Sequence, residues 1–285
     1  MINIIYTILL FNILIIVFKM FEKYRVDNLQ GLIFNYITAG FFSYLFLESR
    51  FSLEYIINSD WLFHAIIIGT LFIVVFNFYA LGTQKVGIAI TTVANKMSLI
   101  IPVSAAIILY GDSFTFLKGL AFLLALSGLY LSSTKRGKLN FKKKYLGLII
   151  LVFLGQGISD AIFNDFAQNF PSERGYLFFI VLFFTASISG IIIYSIKSIK
   201  SKNPLQLKSV FWGFLFGIPN FFSLLFFLRA LGTPNLNSSI VFTLVSIGVV
   251  VSSSLIGIFL FKEKLSKTNW IGISLSICAI YIFSY

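Results

Sequence analysis

The chain has 285 residues, of which 58% are hydrophobic and only 11% charged, with 35 Phe, 13 Tyr and a formal net charge of +12. At a mean hydropathy of +0.95, this inventory excludes a soluble globular protein, because too few charged side chains are present to clothe the apolar ones in water. The positive residues lie in short gaps between apolar runs and not on an amphipathic or zinc-bearing module, so they read as membrane topology signals and no nucleic-acid partner is expected.

Hydrocarbon about 30 Å thick takes about 20 apolar residues of helix per crossing. On that scale the chain divides into ten runs, at residues 2–18, 29–47, 61–81, 86–110, 114–132, 145–168, 176–196, 207–231, 237–261 and 267–285. The expected fold class is therefore an all-α integral membrane protein of ten transmembrane helices. The first run, opening MINIIYTILL, has no basic residue before Lys19 and no small-residue cleavage site, so it is expected to stay as a helix. No gap is longer than about fifteen residues, which leaves no room for a soluble catalytic or nucleotide-binding domain. The single cysteine, Cys278, lies in the last run and is read as packing. No cofactor and no metal are expected.

Alternating the spans puts Lys19, Lys23, Arg25, Lys85, the six basic residues from Lys135 to Lys144, the four from Lys197 to Lys208, and Lys262, Lys264 and Lys267 on one side. Arg50, Lys118, Arg174 and Arg229 fall on the other, and Lys96 lies within a span. Seventeen basic residues against four make the first side cytoplasmic. Both termini are then expected outside, in a multi-pass protein of the cell (inner) membrane.

The two halves resemble each other. Ala80-Leu81-Gly82-Thr83 leads from the third span to the fourth, and 150 residues later Ala230-Leu231-Gly232-Thr233 leads from the eighth to the ninth. Gly111-Asp112 followed by Phe116-Leu117-Lys118-Gly119 is matched by Lys262-Glu263 followed by Asn269-Trp270-Ile271-Gly272. Residues 1–133 and 145–285 are thus two five-helix repeats joined by a basic cytoplasmic linker at 134–144. An odd number of spans per repeat inverts the second copy, as in many secondary transporters.

In these features the chain resembles the ten-helix EamA-like members of the drug/metabolite transporter superfamily: a third span ending in Ala80-Leu81-Gly82, a long fourth span with Pro102, the Gly111-Asp112 turn and a fifth span opening near Gly119, with a second copy carrying Lys262-Glu263. The resemblance implies a central cavity lined by spans one to four and six to nine, with spans five and ten packed outside it. The chain departs from its own pattern at Ser252, which stands where the first repeat has Pro102.

An ionisable group at mid-membrane costs at least about 2.5 to 3.5 kcal/mol and calls for a partner or a cavity. Lys96 lies about 15 Å along span four and Asp160 about 22 Å along span six from the cytoplasmic side, a difference that a lysine stem and helix tilt can bridge. They are expected to pair, either as a structural bridge or as part of a cavity in which Asp160 takes up a coupling proton or binds a cationic group. Gln156, Asp160 and Asn164 recur every four residues on one helix face. Asn77, Thr92, Asn95, Asn220, Thr243 and Ser246 are further candidates for the cavity lining, the Ser and Thr residues reading equally well as interhelical hydrogen-bond glue. Asp165 is expected near the outer mouth and His64 near the outer end of span three, beside Trp61, as an interface residue. Gly272 and Ser276 permit close helix contact, within the chain or in a homodimer through peripheral helices.

The function expected on these grounds is secondary transport of a small polar organic metabolite by alternating access, driven by a proton or by exchange, since no G-x-x-x-x-G-K-[ST] element occurs for ATP hydrolysis. The rival readings are a lipid-carrier flippase of the same superfamily and an intramembrane enzyme, for which no convergent nucleophile and base are found.

Overall fold

The computed structural model describes residues 1–47, 51–86, 88–133, 143–171, 175–201, 204–234, 236–261 and 266–283. Most of the 134–144 linker, the Lys262-Glu263 turn, Arg50 and Arg174 lie outside the described residues. Among those described, regular structure is helical throughout: α1 (Ile2–Lys23), α2 (Asn28–Leu45), α3 (Leu53–Ile57), α4 (Leu62–Lys85), α5 (Ile88–Met97), α6 (Ile100–Tyr110), α7 (Phe116–Ser133), α8 (Leu146–Asn169), α9 (Tyr176–Ser201), α10 (Leu207–Leu231), α11 (Ser238–Phe261) and α12 (Lys267–Phe283).

Local chemistry sets several of the boundaries. The Asp27 carboxylate accepts the Gln30 N–H and caps α2. Ser266 and Asn269 cap α12 reciprocally, each side chain accepting from the other's backbone N–H at 3.2 and 3.0 Å. Gly111 closes α6 at φ 67°, a left-handed conformation that favours glycine.

Among the described residues, seven helical stretches are long and apolar enough to cross a membrane: Ile2–Lys23, Leu62–Gly82, Thr91–Tyr110, Leu146–Asn169, Tyr176–Ser198, Leu207–Leu231 and Ser238–Leu260, with Phe116–Ser132 a shorter apolar helix. The bundle is also turned inside out relative to a soluble one. Thr7, Asn12, Gln30, Asn35, Ser159 and Asn164 are buried, whereas Leu9, Phe63, Ile108, Phe116, Phe184 and Phe259 are exposed. Only a lipid surround makes that exchange favourable. The protein is a multi-pass α-helical membrane protein.

Of the ten expected spans, those at 29–47, 114–132 and 267–285 are not among these seven, and a further one differs in form. The run at 86–110, expected to be continuous, is interrupted as a helix between Met97 and Ile100. Pro102 has no N–H to give the Ser98 carbonyl, which instead accepts from Ile101 at 2.9 Å. At Ser252, 150 residues after Pro102, α11 runs unbroken. The Ser252 hydroxyl bonds back to Gly248 and accepts from the Asn12 amide of α1 at 2.7 Å.

Packing runs through small residues. α10 lies on α2, α9 on α2 and α4, α1 on α10 and α11, and α8 on α4, α5 and α6, with α11 also against α6. A Cβ on Gly217 would lie 2.5 Å from the Asn35 carbonyl oxygen, and one on Gly213 2.5 Å from that of Gly31, so α10 meets α2 backbone to backbone. α7 and α12 pair beside this group, Gly128 and Gly272 each abutting the other's carbonyl oxygen. Gly272 and Ser276 are therefore taken up by packing within the chain.

Candidate functional site

Interrupting the helix after Met97 leaves Asn95 and Lys96 on the last turn of α5, where a cation also complements the helix dipole. α8 passes close by because two glycines admit its neighbours: Gly155 abuts Val75 of α4 and Gly157 abuts Ile101 of α6. Between them stands Gln156. Its Oε1 accepts from Asn95 Nδ2 at 3.1 Å and its Nε2 donates to Asp160 Oδ1 at 3.0 Å. An amide can relay in this way because it carries donor and acceptor on one group.

Lys96 and Asp160 are near enough for their charges to interact, yet among the described residues no ion pair within 4 Å joins them. In place of the expected direct pair there is a carboxylate held by Gln156 and an ammonium with no hydrogen-bond partner among the described residues. Asn95, Lys96, Gln156 and Asp160 are all half-buried although they lie deep among the helices. Each therefore keeps part of its surface uncovered by the neighbouring helices.

The remaining candidates divide. Thr92 bonds the Tyr79 hydroxyl at 2.9 Å. Asn77 donates to the Ile73 carbonyl of its own helix, and Thr243, fully buried, to that of Ser239; both are satisfied locally. Asn220 donates to Asn35 Oδ1 at 3.0 Å, tying α10 to α2. Ser246 is half-buried. Asn164 shares the face of Asp160 and is fully buried, with neither its amide nitrogen nor its oxygen met.

A second cluster lies one to two turns further along α8. Asp165 Oδ2 is 2.7 Å from His64 Nε2 of α4, while Oδ1 accepts from the Tyr110 hydroxyl of α6 and from Asn169 Nδ2. The His64 ring packs on Phe166 and Phe170. Asn169 and Phe170 also line an open surface pocket of about 550 Å³ with Ser52, Glu54, Asn58, Asp60 and Trp61. Sequence reasoning placed His64 and Asp165 near one membrane face but treated them singly. The available signal was depth: both stand within a few residues of a helix end on the same side. Among the described residues no three His, Cys, Asp or Glu side chains converge as metal ligands.

The chain is 31% identical to an uncharacterized protein of Haemophilus influenzae over 291 residues, an alignment that takes in 99% of this chain and 97% of that relative. The two belong to one family. No family model matches the chain. The fold recurs in a protein of known crystal structure, with a TM-score of 0.79, 99% of this chain and 95% of the other covered, and 14% identity. Similarity at that level of identity establishes the family's fold and leaves its chemistry to be argued from the side chains.

Proposed function

We propose that the protein is a secondary transporter of a small polar organic metabolite, with its site at Lys96, Asp160, Gln156 and Asn95. The observation that carries this reading is the half-buried state of those four side chains at mid-bundle. Structural glue between helices is dry and mutually bonded, whereas here an ammonium with no hydrogen-bond partner among the described residues stays half-buried beside a half-buried carboxylate. Lys96 suits an anionic group of the substrate and Asp160 a cationic group or a proton. Asn164, on the same face, is fully buried with both its polar atoms unmet among the described residues, and so is a second polar group there that calls for a partner.

The reading includes ten spans as two inverted repeats of the EamA-like kind. Support comes from the pairing of helices: α4 lies on α9 as α10 lies on α2, and α8 on α4 as α1 on α10. Polar contacts follow the same relation. Thr70 meets Ser189 between α4 and α9, and Asn220, 150 residues after Thr70, meets Asn35 between α10 and α2. α7 and α12 stand outside the four-helix set of each half, as peripheral fifth helices would. Rocking of one repeat against the other about the site is alternating access.

Accessibility tests the site. Single cysteines at positions 95, 156, 160 and 164, in the full chain with Cys278→Ala, should react with a polar thiol reagent and be protected by a transported metabolite. Uniform lack of labelling in folded, inserted variants places these residues in a dry interface and removes the site. Orientation follows from the charge asymmetry, with the basic loops in the cytoplasm and both termini outside. A reporter fused to the C-terminus is then expected to be active only outside the cytoplasm, and a cytoplasmic signal reverses the assignment.

A further inference from the structure

We infer that Asp112 is a helix cap given by one half of the chain to the other: it clamps the start of α11 to the turn after α6, and its release opens that end of the bundle. The inference rests on the two-repeat, alternating-access reading, in which the bundle must open at one end and then at the other.

The carboxylate is held where it serves α11 and not its own helix. Gly111 closes α6 in the left-handed conformation, and the Asp112 N–H returns to the Ala106 carbonyl at 3.3 Å. An anion there stands at the negative end of the α6 dipole, which disfavours it. Across the gap, Asp112 Oδ2 accepts the Ser239 N–H at 2.8 Å. That N–H belongs to the first turn of α11, where it has no partner within the helix and where the dipole favours an anion. The candidates for a cap in α11's own sequence are engaged elsewhere or unmet. Asn237 gives its amide to Ser113 Oγ at 3.0 Å, and the buried Ser238 hydroxyl has no partner among the described residues. Lys118 steadies the turn from the other side, its Nζ donating to the Ser113 carbonyl and Oγ at 3.2 and 2.6 Å.

Packing puts this contact at a place where the bundle can part. α11 lies against α6, whereas α5, the other half of the same interrupted span, meets α4, α7 and α8. The two spans therefore approach on the Asp112 side of the break at Met97. The ties deeper in the bundle, such as Asn12 to Ser252 and Asn220 to Asn35, have no water to replace them when broken. Here Asp112 is half-buried and Ser113 exposed, so water takes over both partners when the turn and α11 separate. A hydrogen bond of that kind biases the closed state by a small net amount and can be released repeatedly.

Accessibility beneath the clamp is the test. Asn164→Cys, at a fully buried position of α8, and separately Ser238→Cys, at the start of α11, are labelled with a membrane-impermeant maleimide in right-side-out and in inverted vesicles, each in the full chain with Cys278→Ala. Asp112→Ala should raise the labelling rate at 164 about fivefold, the change in population that loss of one cap carries, and from one side of the membrane only. Asp112→Asn, whose amide oxygen still accepts, should raise it less. Bridging Ser113→Cys and Asn237→Cys with a short reducible cross-linker before labelling should hold the rate at background until the bridge is cleaved. An unchanged rate at 164 in Asp112→Ala overturns the clamp. So does a rise confined to 238, which would make Asp112 a cap for the first turn of α11 and nothing more, and so does labelling at 164 that ignores the bridge. A response to Asp112→Ala at a position that no metabolite protects removes the transport reading and keeps the clamp; protection by a metabolite without that response does the reverse.

Discussion

Replacing either Lys96 or Asp160 alone should reduce transport by at least about tenfold and lower the folded yield, while the double replacement should lose less than the two single losses combined. Each charge lies among helices where water is scarce, and each lies within the field of the other. Removing Lys96 leaves a carboxylate whose remaining support is the Gln156 amide at 3.0 Å. Removing Asp160 leaves an ammonium with neither a hydrogen bond nor a paired opposite charge among the described residues. Since no ion pair within 4 Å joins them, the coupling acts through space and should be modest, about 1 kcal/mol, toward the lower end for residues in one network. The measurement is the cycle Lys96→Met, Asp160→Asn and both together, read by folded yield and by uptake into proteoliposomes. Strict additivity would mean that the two charges are independent and that each has its own partner.

Much of this architecture is legible in the sequence because the bilayer imposes a length scale. The helices α1, α2, α4, α8, α9, α10 and α11 begin and end within a few residues of the expected runs. The break at Met97 was equally available, since Pro102 stands in the run, but a proline only removes one donor, and whether a helix bends or separates there depends on what fills the gap. Here the Ile101 N–H meets the Ser98 carbonyl at 2.9 Å, and the Ser98 hydroxyl meets the Asn95 carbonyl one turn back at 2.6 Å. The stripe of Gln156, Asp160 and Asn164 followed from periodicity, yet periodicity gives a face and not a neighbour. It could not say that Gln156 would stand between Asn95 and Asp160, nor that Asn164 would be left unmet. Contacts between distant helices are the least legible of all. His64 and Asp165 are 101 residues apart, and only the approach of α4 to α8 joins them.

The close crossing of α10 on α2 should be the most sensitive packing feature of the protein. Gly213 and Gly217 are four residues apart and face the same helix. A Cβ at 217 would come within 2.5 Å of both the Asn35 carbonyl oxygen and Thr38 Cβ, and one at 213 within 2.5 Å of the Gly31 carbonyl oxygen. These obstacles are backbone and the first atom of a side chain, which cannot swing aside, so the helices themselves must separate. In a membrane this contact has no hydrophobic effect to restore it, because lipid tails solvate the freed apolar surface as well as the partner helix did. Separation would also break the Asn220 to Asn35 hydrogen bond one turn away. Gly217→Val is therefore expected to destabilise by about 3 kcal/mol or more, at the upper end for overpacking, and Gly217→Ala by somewhat less. Gly147 of α8 provides the control. Nothing lies within 4 Å of a Cβ added there, and alanine in a helix is better than glycine by about 0.5 to 1 kcal/mol, so Gly147→Ala should be neutral or stabilising. Thermal denaturation in detergent, followed by loss of the monomeric species, measures all three variants. Equal midpoints for Gly217→Ala and Gly147→Ala would show that α10 and α2 do not meet at their backbones. The Asn35 to Asn220 contact would then be too distant to form.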